Sequence, residues 1–451
     1  MSVRGPLGVT PDGAATLDLR ARQPRAQGMS VPGGRVGLAG LLITALVICL
    51  SASHTAVLLP NSVRLGLPDG LSGLLGRIGI NLGLGGVIAA VVLMFASYAL
   101  AMRATRQLST RSVLITIAVL NILVFLAPPL FSTDMFSYVA YGKLGATYGF
   151  NPYQWGPGAI RLDTLYSYVG SQWVNTPTAY GPLFTALSYP LSLLSVAANA
   201  VIYKGVAALS SVAIVALVWK AAKLREMDPV KAVALVGLNP IVVIYGVGGG
   251  HNDLLMLALL VAGVYVMLLD RRRAGGAMFV AAAAIKLTAG VVLPFALATT
   301  PGRSEGSEGK RQVMRGAVVA AVAFGGLGLA MFGPWPIYLV STLHTIQNGG
   351  GMHSVPGFIL TVLGLGRFAG AAGLVLDAAF AAWFVWLVRR VWIGEQDWIT
   401  ASGWATVGLL LTAGLLMPWY VAWLLPLAAL SSDRRLWLTA IALTGLGLTS
   451  L

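Results

Sequence analysis

Residues 275–300 read GGAMFVAAAAIKLTAGVVLPFALATT, an apolar run whose one charged residue, Lys286, stands near its middle. Arg271, Arg272 and Arg273 precede the run, and Arg303 follows it closely. Short basic connections mark the cytoplasmic side of a membrane protein, so both ends belong on one side. Roughly 25 residues rising 1.5 Å each cannot cross a bilayer twice. The run is therefore expected to form two short half-helices that turn inside the membrane, with Lys286 near the apex. A lysine at that depth is costly unless it faces a cavity or a counter-charge. Snorkelling to an interface suits a lysine near a helix end better than one in mid-segment. A functional role is favoured, with a lipid phosphate as the natural counter-ion.

The rest of the chain agrees with this environment. Of 451 residues, 57% are hydrophobic and 10% charged, with a mean hydropathy of +0.81; an average soluble protein carries roughly 25% charged residues. Too little charge remains to cover a soluble globule. An ordinary cytosolic enzyme, a disulfide scaffold and a disordered chain are excluded together, and an all-α polytopic membrane protein is expected. Thirty Lys+Arg against fifteen Asp+Glu give a net charge of +15. The basic residues gather between apolar runs, as at Lys220, Lys223 and Arg225 or Arg389 and Arg390. They read as a topology signal, and no nucleic-acid partner is expected. Cys49 is the only cysteine and the four histidines share no ligand spacing, so neither a disulfide nor a structural zinc site is expected.

Residues 1–35 read as a disordered, basic cytoplasmic tail, and 36–451 as a single membrane domain. Apolar runs at 36–58, 78–101 and 112–130 each approach the length needed to cross. With the tail inside, the third ends outside, and residues 131–181 form a long outer loop with short interfacial helices. Residues 183–219 are expected to form a short interfacial helix and one span; 232–249 leaves and 252–270 returns. Beyond the half-helix pair, 316–333 leaves, an outer loop 334–357 carries His344 and His353, and 371–391 returns. A hairpin of 399–417 and 419–432 bears Trp419 and Tyr420 at its outer end, and 436–451 is a last run. In all, about 11–13 membrane segments are expected.

Few acids remain for chemistry. Asp69 sits in a turn, where Asp is expected locally. Asp163 has no basic or aromatic cluster tied to it in sequence, and Asp377 should be paired or face the bundle. Asp134 follows the end of a span, and a helix beginning there would put Asp134, Tyr138 and Tyr141 on one face. It could be a helix cap or a catalytic base. In Gly248-Gly249-Gly250-His251-Asn252-Asp253, a turn and cap account for Asn252 and Asp253 but leave His251 as a candidate. Asn151, Tyr153 and Tyr180 suit either a membrane interface or a carbohydrate.

Six stretches occur together: FSTDMFSYVAYGKL (131–144), GFNPYQWGP (149–157), AYGPLF (179–184), LNPIVVIYGVGGGHNDLLM (238–256), AIKLTAGVVLPF (284–295) and MPWYVAW (417–423). In this order they resemble the polyprenol-phosphomannose-dependent α-1,6-mannosyltransferases of actinobacterial envelopes, members of the GT-C class. His-Asn-Asp stands where those relatives often have His-Asn-Glu. The resemblance implies a GT-C-like bundle in the plasma membrane whose active site faces outward. It further implies a polyprenyl phosphate mannose donor, a mannan or glycolipid acceptor of lipomannan type, and Asp134 as the catalytic aspartate. No cofactor is implied, and metal dependence stays open, although no DxD pair appears.

Transfer from a lipid phosphate needs one carboxylate, because the leaving group is already a weak base; a glycosidase, with a poorer leaving group, needs two. On this reading Asp134 is the base, and Lys286 with His251 holds the donor phosphate. Tyr138, Asn151, Tyr153, Tyr180, Asn252 and Asp253 position sugar or acceptor, with His344, His353, Trp419 and Tyr420 at the cavity rim. Two alternatives stand beside it: a GT-C transferase of another polyprenyl-linked sugar, and a lipid or glycolipid transporter, which also uses broken helices and intramembrane charges. The chain shows no internal repeat of the kind many transporters have.

Overall fold

The computed structural model describes residues 32–55, 71, 73–75, 78–299, 305–348 and 353–449. The expected tail to residue 31 and Asp69 lie outside them. Among the described residues every regular element is helical. The chain runs through α1 (Pro32–Ser51), α2 (Gly83–Arg103), α3 (Thr110–Leu126), α4 (Asp134–Ala146), α5 (Pro182–Leu191) and α6 (Val196–Leu224). Next come α7 (Pro229–Gly237), a π-helical turn (Ile241–Val247), α8 (Asp253–Leu268), α9 (Arg272–Ile285), a 3-10 turn (Leu287–Val292) and α10 (Leu293–Ala298). The remainder is α11 (Glu305–Phe332), α12 (Leu339–Asn348), α13 (Val355–Val362), α14 (Ala369–Trp392), α15 (Trp398–Thr412), a 3-10 turn (Pro418–Trp423), α16 (Leu425–Ala429) and α17 (Arg434–Gly447).

Among the described residues five helices are long and apolar enough to cross a bilayer: Gly33–Ser51, Gly83–Arg103, Val196–Leu224, Ser307–Phe332 and Gly366–Trp392. A sixth candidate is the pair Pro229–Gly237 and Ile241–Val247, bent by 48°. The other apolar runs of the sequence form shorter helices, among them Thr110–Leu126, Asp253–Leu268 and Trp398–Thr412. The protein is thus an all-α polytopic membrane protein, and the larger expected number of segments requires the shorter helices to cross as well. Helix starts follow local chemistry: Asp228, Asp397 and Asp433 each accept a backbone N–H in the first turn of α7, α15 and α17.

Two breaks shape the interior. At Asn239-Pro240 the proline supplies no N–H, and the displaced Leu235 carbonyl accepts from Tyr98 Oη at 2.9 Å. Asn239 rebuilds the corner, donating to Tyr98 Oη at 3.2 Å and Thr444 Oγ1 at 2.9 Å while accepting from Ile241 N at 3.0 Å. The second break is the expected one in the run 275–300. Here α9 ends at Ile285, and Lys286 is extended with φ −149° and ψ 120° before a 3-10 turn and α10. One expectation fails: Asp377 is exposed on α14 rather than paired or facing the bundle, because α14 presents most of its surface outward.

Candidate active site

Asp134 is aimed by the seven residues before it. Lys204 of α6, fully buried, donates to the carbonyls of Ala127 and Pro128, two groups that α3 leaves without helical partners at its end. Leu130 N donates to Gly248 O at 3.0 Å. Phe131 then turns the chain with φ 60°, a conformation costing a non-glycine residue about 1–2 kcal/mol. Its ring packs 4.8 Å from that of Tyr245. The N–H of Asp134 donates to Ser132 Oγ at 3.1 Å, and Thr133 makes no side-chain cap. Asp134 is accordingly the first residue of α4, and its carboxylate is not spent on capping.

His251 and Asp253 arrive from the glycine turn. The π-helical turn closes with bonds spanning five residues, Gly248 N to Val243 O and His251 N to Gly246 O, both at 3.0 Å. Gly250 has φ 64°, where glycine carries no steric penalty. The turn lays the His251 ring flat on Trp419, with centroids 3.9 Å apart and planes at 26°. Nδ1 of His251 lies 3.6 Å from Asp134 Oδ2 and 3.9 Å from Asp253 Oδ2. Burial pushes the imidazole down to about 3, with Asp253 opposing and Lys286 reinforcing the shift. The ring is neutral at ordinary pH, so whatever it offers a substrate is a hydrogen bond and not a positive charge.

Lys286 comes from the break after α9. The Tyr180-Gly181-Pro182 joint docks on that helix end: Gly181 N donates to Ile285 O at 2.9 Å. A β-carbon on Gly181 would collide with the Ala284 carbonyl, so only glycine allows this approach. Lys286 Nζ donates to Asp253 Oδ1 at 2.8 Å, and Trp423 Nε1 donates to the same oxygen at 2.6 Å. Its ammonium also lies over the rings of Tyr420, Trp423 and Tyr180, at 4.7, 5.2 and 5.9 Å from their centroids. The counter-charge expected from a lipid is here supplied by the protein's own Asp253.

Asp134, Tyr138, Tyr180, His251, Asn252, Asp253, Lys286, Trp419 and Tyr420 thus converge from five separate stretches. Tyr138 Oη donates to Asn252 Oδ1 at 3.4 Å, and its ring meets Tyr180 edge-on at 5.0 Å. Burial raises the Asp134 carboxyl to about 7, with Lys286 lowering and Asp253 raising it further. Several polar atoms in the cluster lack a hydrogen-bond partner among the described residues: both His251 ring nitrogens, Asn252 Nδ2, Asp253 Oδ2 and Ser137 Oγ. Buried groups of this kind are costly unless something binds them.

Other sequence candidates fall elsewhere. Asn151 and Tyr153 form a supporting layer: Asn151 Nδ2 donates to Phe332 O at 2.7 Å, and Tyr153 Oη donates to Tyr180 O at 2.9 Å. His344 lies on α12, and His353 lines a separate cavity. Asp163 does have a cluster, contrary to its sequence reading: Lys143 Nζ pairs with it at 2.9 Å and Tyr148 Oη donates to it at 2.8 Å. Trp423 and Lys204 were not singled out by sequence reasoning. The i+4 spacing of Trp423 from Trp419 is a signal for the first; nothing local marks the second. Among the described residues no group of three or more His, Cys, Asp and Glu side chains is placed to hold a metal ion.

Fold and site together define a helical membrane protein with a buried carboxylate–imidazole–ammonium cluster at the broken ends of its helices. The family described as alpha-(1->6)-mannopyranosyltransferase, N-terminal domain, matches residues 35–301, and the chain belongs to that family. It is similar to alpha-(1->6)-mannopyranosyltransferase A of Mycobacterium tuberculosis, with 28% identity over 342 residues, 70% of this chain and 64% of the relative. It is similar also to alpha-(1->6)-mannopyranosyltransferase A of Corynebacterium glutamicum, 28% identical over 38% of this chain and 35% of the relative. The B protein of that organism is 30% identical over 30% of this chain and 23% of the relative. The chain spans less than two thirds of the length of each of these relatives. No solved structure gives a significant match.

Proposed function

We propose that the protein is an inverting mannosyltransferase of the plasma membrane. It moves mannose from polyprenyl phosphate mannose to a mannoside or glycolipid acceptor, forming an α-1,6 linkage in an envelope glycan of lipomannan type. The names of the relatives support the sugar and the linkage. The observation that carries the chemistry is the placing of Asp134 within 3.6 Å of His251, in one buried cluster with Lys286 and Asp253.

In this mechanism the acceptor hydroxyl oxygen attacks the anomeric carbon while the bond from that carbon to the phosphate oxygen breaks. The hydroxyl proton passes to Asp134, and the electron pair leaves with the lipid phosphate. A carboxyl raised to about 7 suits a general base near neutral pH. Lys286 and an N–H of His251 stabilise the charge gathering on the phosphate. Asp253 keeps the ammonium in place before the donor arrives. The cluster lies on the outer side of the membrane, with the N-terminus in the cytoplasm.

Incubation of the purified protein with radiolabelled polyprenyl phosphate mannose and a short α-mannoside tests the proposal. A labelled product with a new 1→6 bond is expected. Absence of product, or transfer only from another polyprenyl-linked sugar, would overturn it.

A further inference from the structure

A cavity of about 660 Å³ lies between the loop residues 172–177, one face of α12 and residues 415–417. Its volume falls within the range of about 300–1,000 Å³ usual for small-ligand sites. Among the described residues its lining has no Lys, Arg, Asp or Glu; it offers the Trp173 ring, the amides of Gln172 and Asn175, the hydroxyls of α12 and the His353 ring beside the apolar side chains of Ile346 and Met417. Neutral hydrogen-bonding groups around one aromatic face match an uncharged polyol. Among the described lining residues no lysine or arginine is present to hold a phosphate.

The walls are tied to the cluster through neighbouring residues. Thr176 O accepts from Tyr141 Oη at 3.0 Å, and Tyr141 lies on α4, two turns beyond Asp134. The loop also abuts Thr133, since a β-carbon on Gly170 would stand 2.6 Å from Thr133 Oγ1. On the far side Met417 lines the cavity, two residues before the Trp419 that stacks on His251. Residues 415–416 are fixed there by Leu415 N to Gln347 Oε1 at 3.0 Å and Leu416 N to His353 O at 2.7 Å.

We infer that this cavity is the acceptor subsite, holding the terminal mannose units of the growing glycan with one sugar face on Trp173. The assignment rests on the transferase reading above. It divides the substrates by charge: the phosphate donor on Lys286, the neutral acceptor against Trp173.

Binding of a short α-mannoside, measured by saturation-transfer NMR without donor, is compared for wild type, Trp173→Ala and Thr345→Trp. Thr345 is exposed, so its tryptophan fills the cavity without disturbing the core. Separate titrations of donor and acceptor then give each KM. The wild type should bind the mannoside, and both variants should raise the acceptor KM about tenfold or more, the equivalent of 1.4 kcal/mol, with the donor KM unchanged. An unchanged acceptor KM in both variants, a parallel rise in donor KM, or a wild type that does not bind mannoside overturns the subsite. A wild type that binds mannoside through this cavity yet transfers nothing leaves the glycan site standing and removes the transferase reading.

Discussion

Lys286 and Asp253, 33 residues apart in the chain, form a buried ion pair of 2.8 Å at the meeting of a helix break and a helix start. The carboxylate lies in the first turn of α8, where the helix dipole favours negative charge. The ammonium projects from an extended residue that no helix could accommodate at that point. Each makes the other tolerable in the protein interior.

Breaking the pair on one side should therefore cost more than removing it. Lys286→Met is expected to lose about 3–5 kcal/mol of stability, the usual penalty for stranding a buried charge. Adding Asp253→Leu should restore most of that loss in thermal unfolding while leaving donor binding abolished. A double variant no more stable than the single one would show that the pair does not carry this cost.

Acidification should switch the proposed transfer off. Burial, the largest influence, lifts the Asp134 carboxyl to about 7, and a base must be unprotonated to act. kcat/KM should fall about tenfold per pH unit below about 7 and level off above it. Stability has the opposite sign. The native carboxyl holds its proton more tightly than the unfolded chain does, so stability is lost as pH rises from about 4 to about 7. Asp134→Asn should remove that slope and melt higher than wild type at alkaline pH.

Gly181→Ala probes the joint that presents Lys286. The added methyl meets backbone, the Ala284 carbonyl, which cannot rotate away. A loss of about 1–3 kcal/mol is expected, with weakened donor binding as the end of α9 shifts. Wild-type melting and donor affinity in this variant would show that the contact relaxes freely.

Lys204→Ala should loosen the segment that aims Asp134. It deprives the Ala127 and Pro128 carbonyls of their donor and should cost about 1–3 kcal/mol. Turnover should fall more than donor affinity, because the Lys204 ammonium holds the carbonyls that lead to Asp134 while Lys286 is held by Asp253. Equal losses in both would place its effect on the fold at large.

Much of this architecture was legible because membrane depth makes polar residues expensive. Lys286 and His251 stood out as a charge and a ring without a local excuse, Asp134 read equally well as a helix cap, and the structure gathers all three. The half-helix break followed from arithmetic on length and flanking arginines. What stayed hidden was pairing. Nothing near Asp253 announces Lys286 as its partner, and nothing near Asp163 announces Lys143, because both pairs close only when distant helices pack. Lys204 sits well inside α6 and serves carbonyls more than seventy residues earlier in the chain, a link no local pattern carries. The 3-10 turn at 418–423 was equally unreadable from periodicity, since Trp419, Tyr420 and Trp423 fit an ordinary helix as well.

Single-turnover transfer by purified Asp134→Asn, with donor binding measured on the same sample, tests the central claim most directly. The account predicts donor affinity within about twofold of wild type and a transfer rate lower by about 10²–10⁴-fold, the share a general base supplies. Undiminished transfer from a variant that lacks this carboxylate would contradict it.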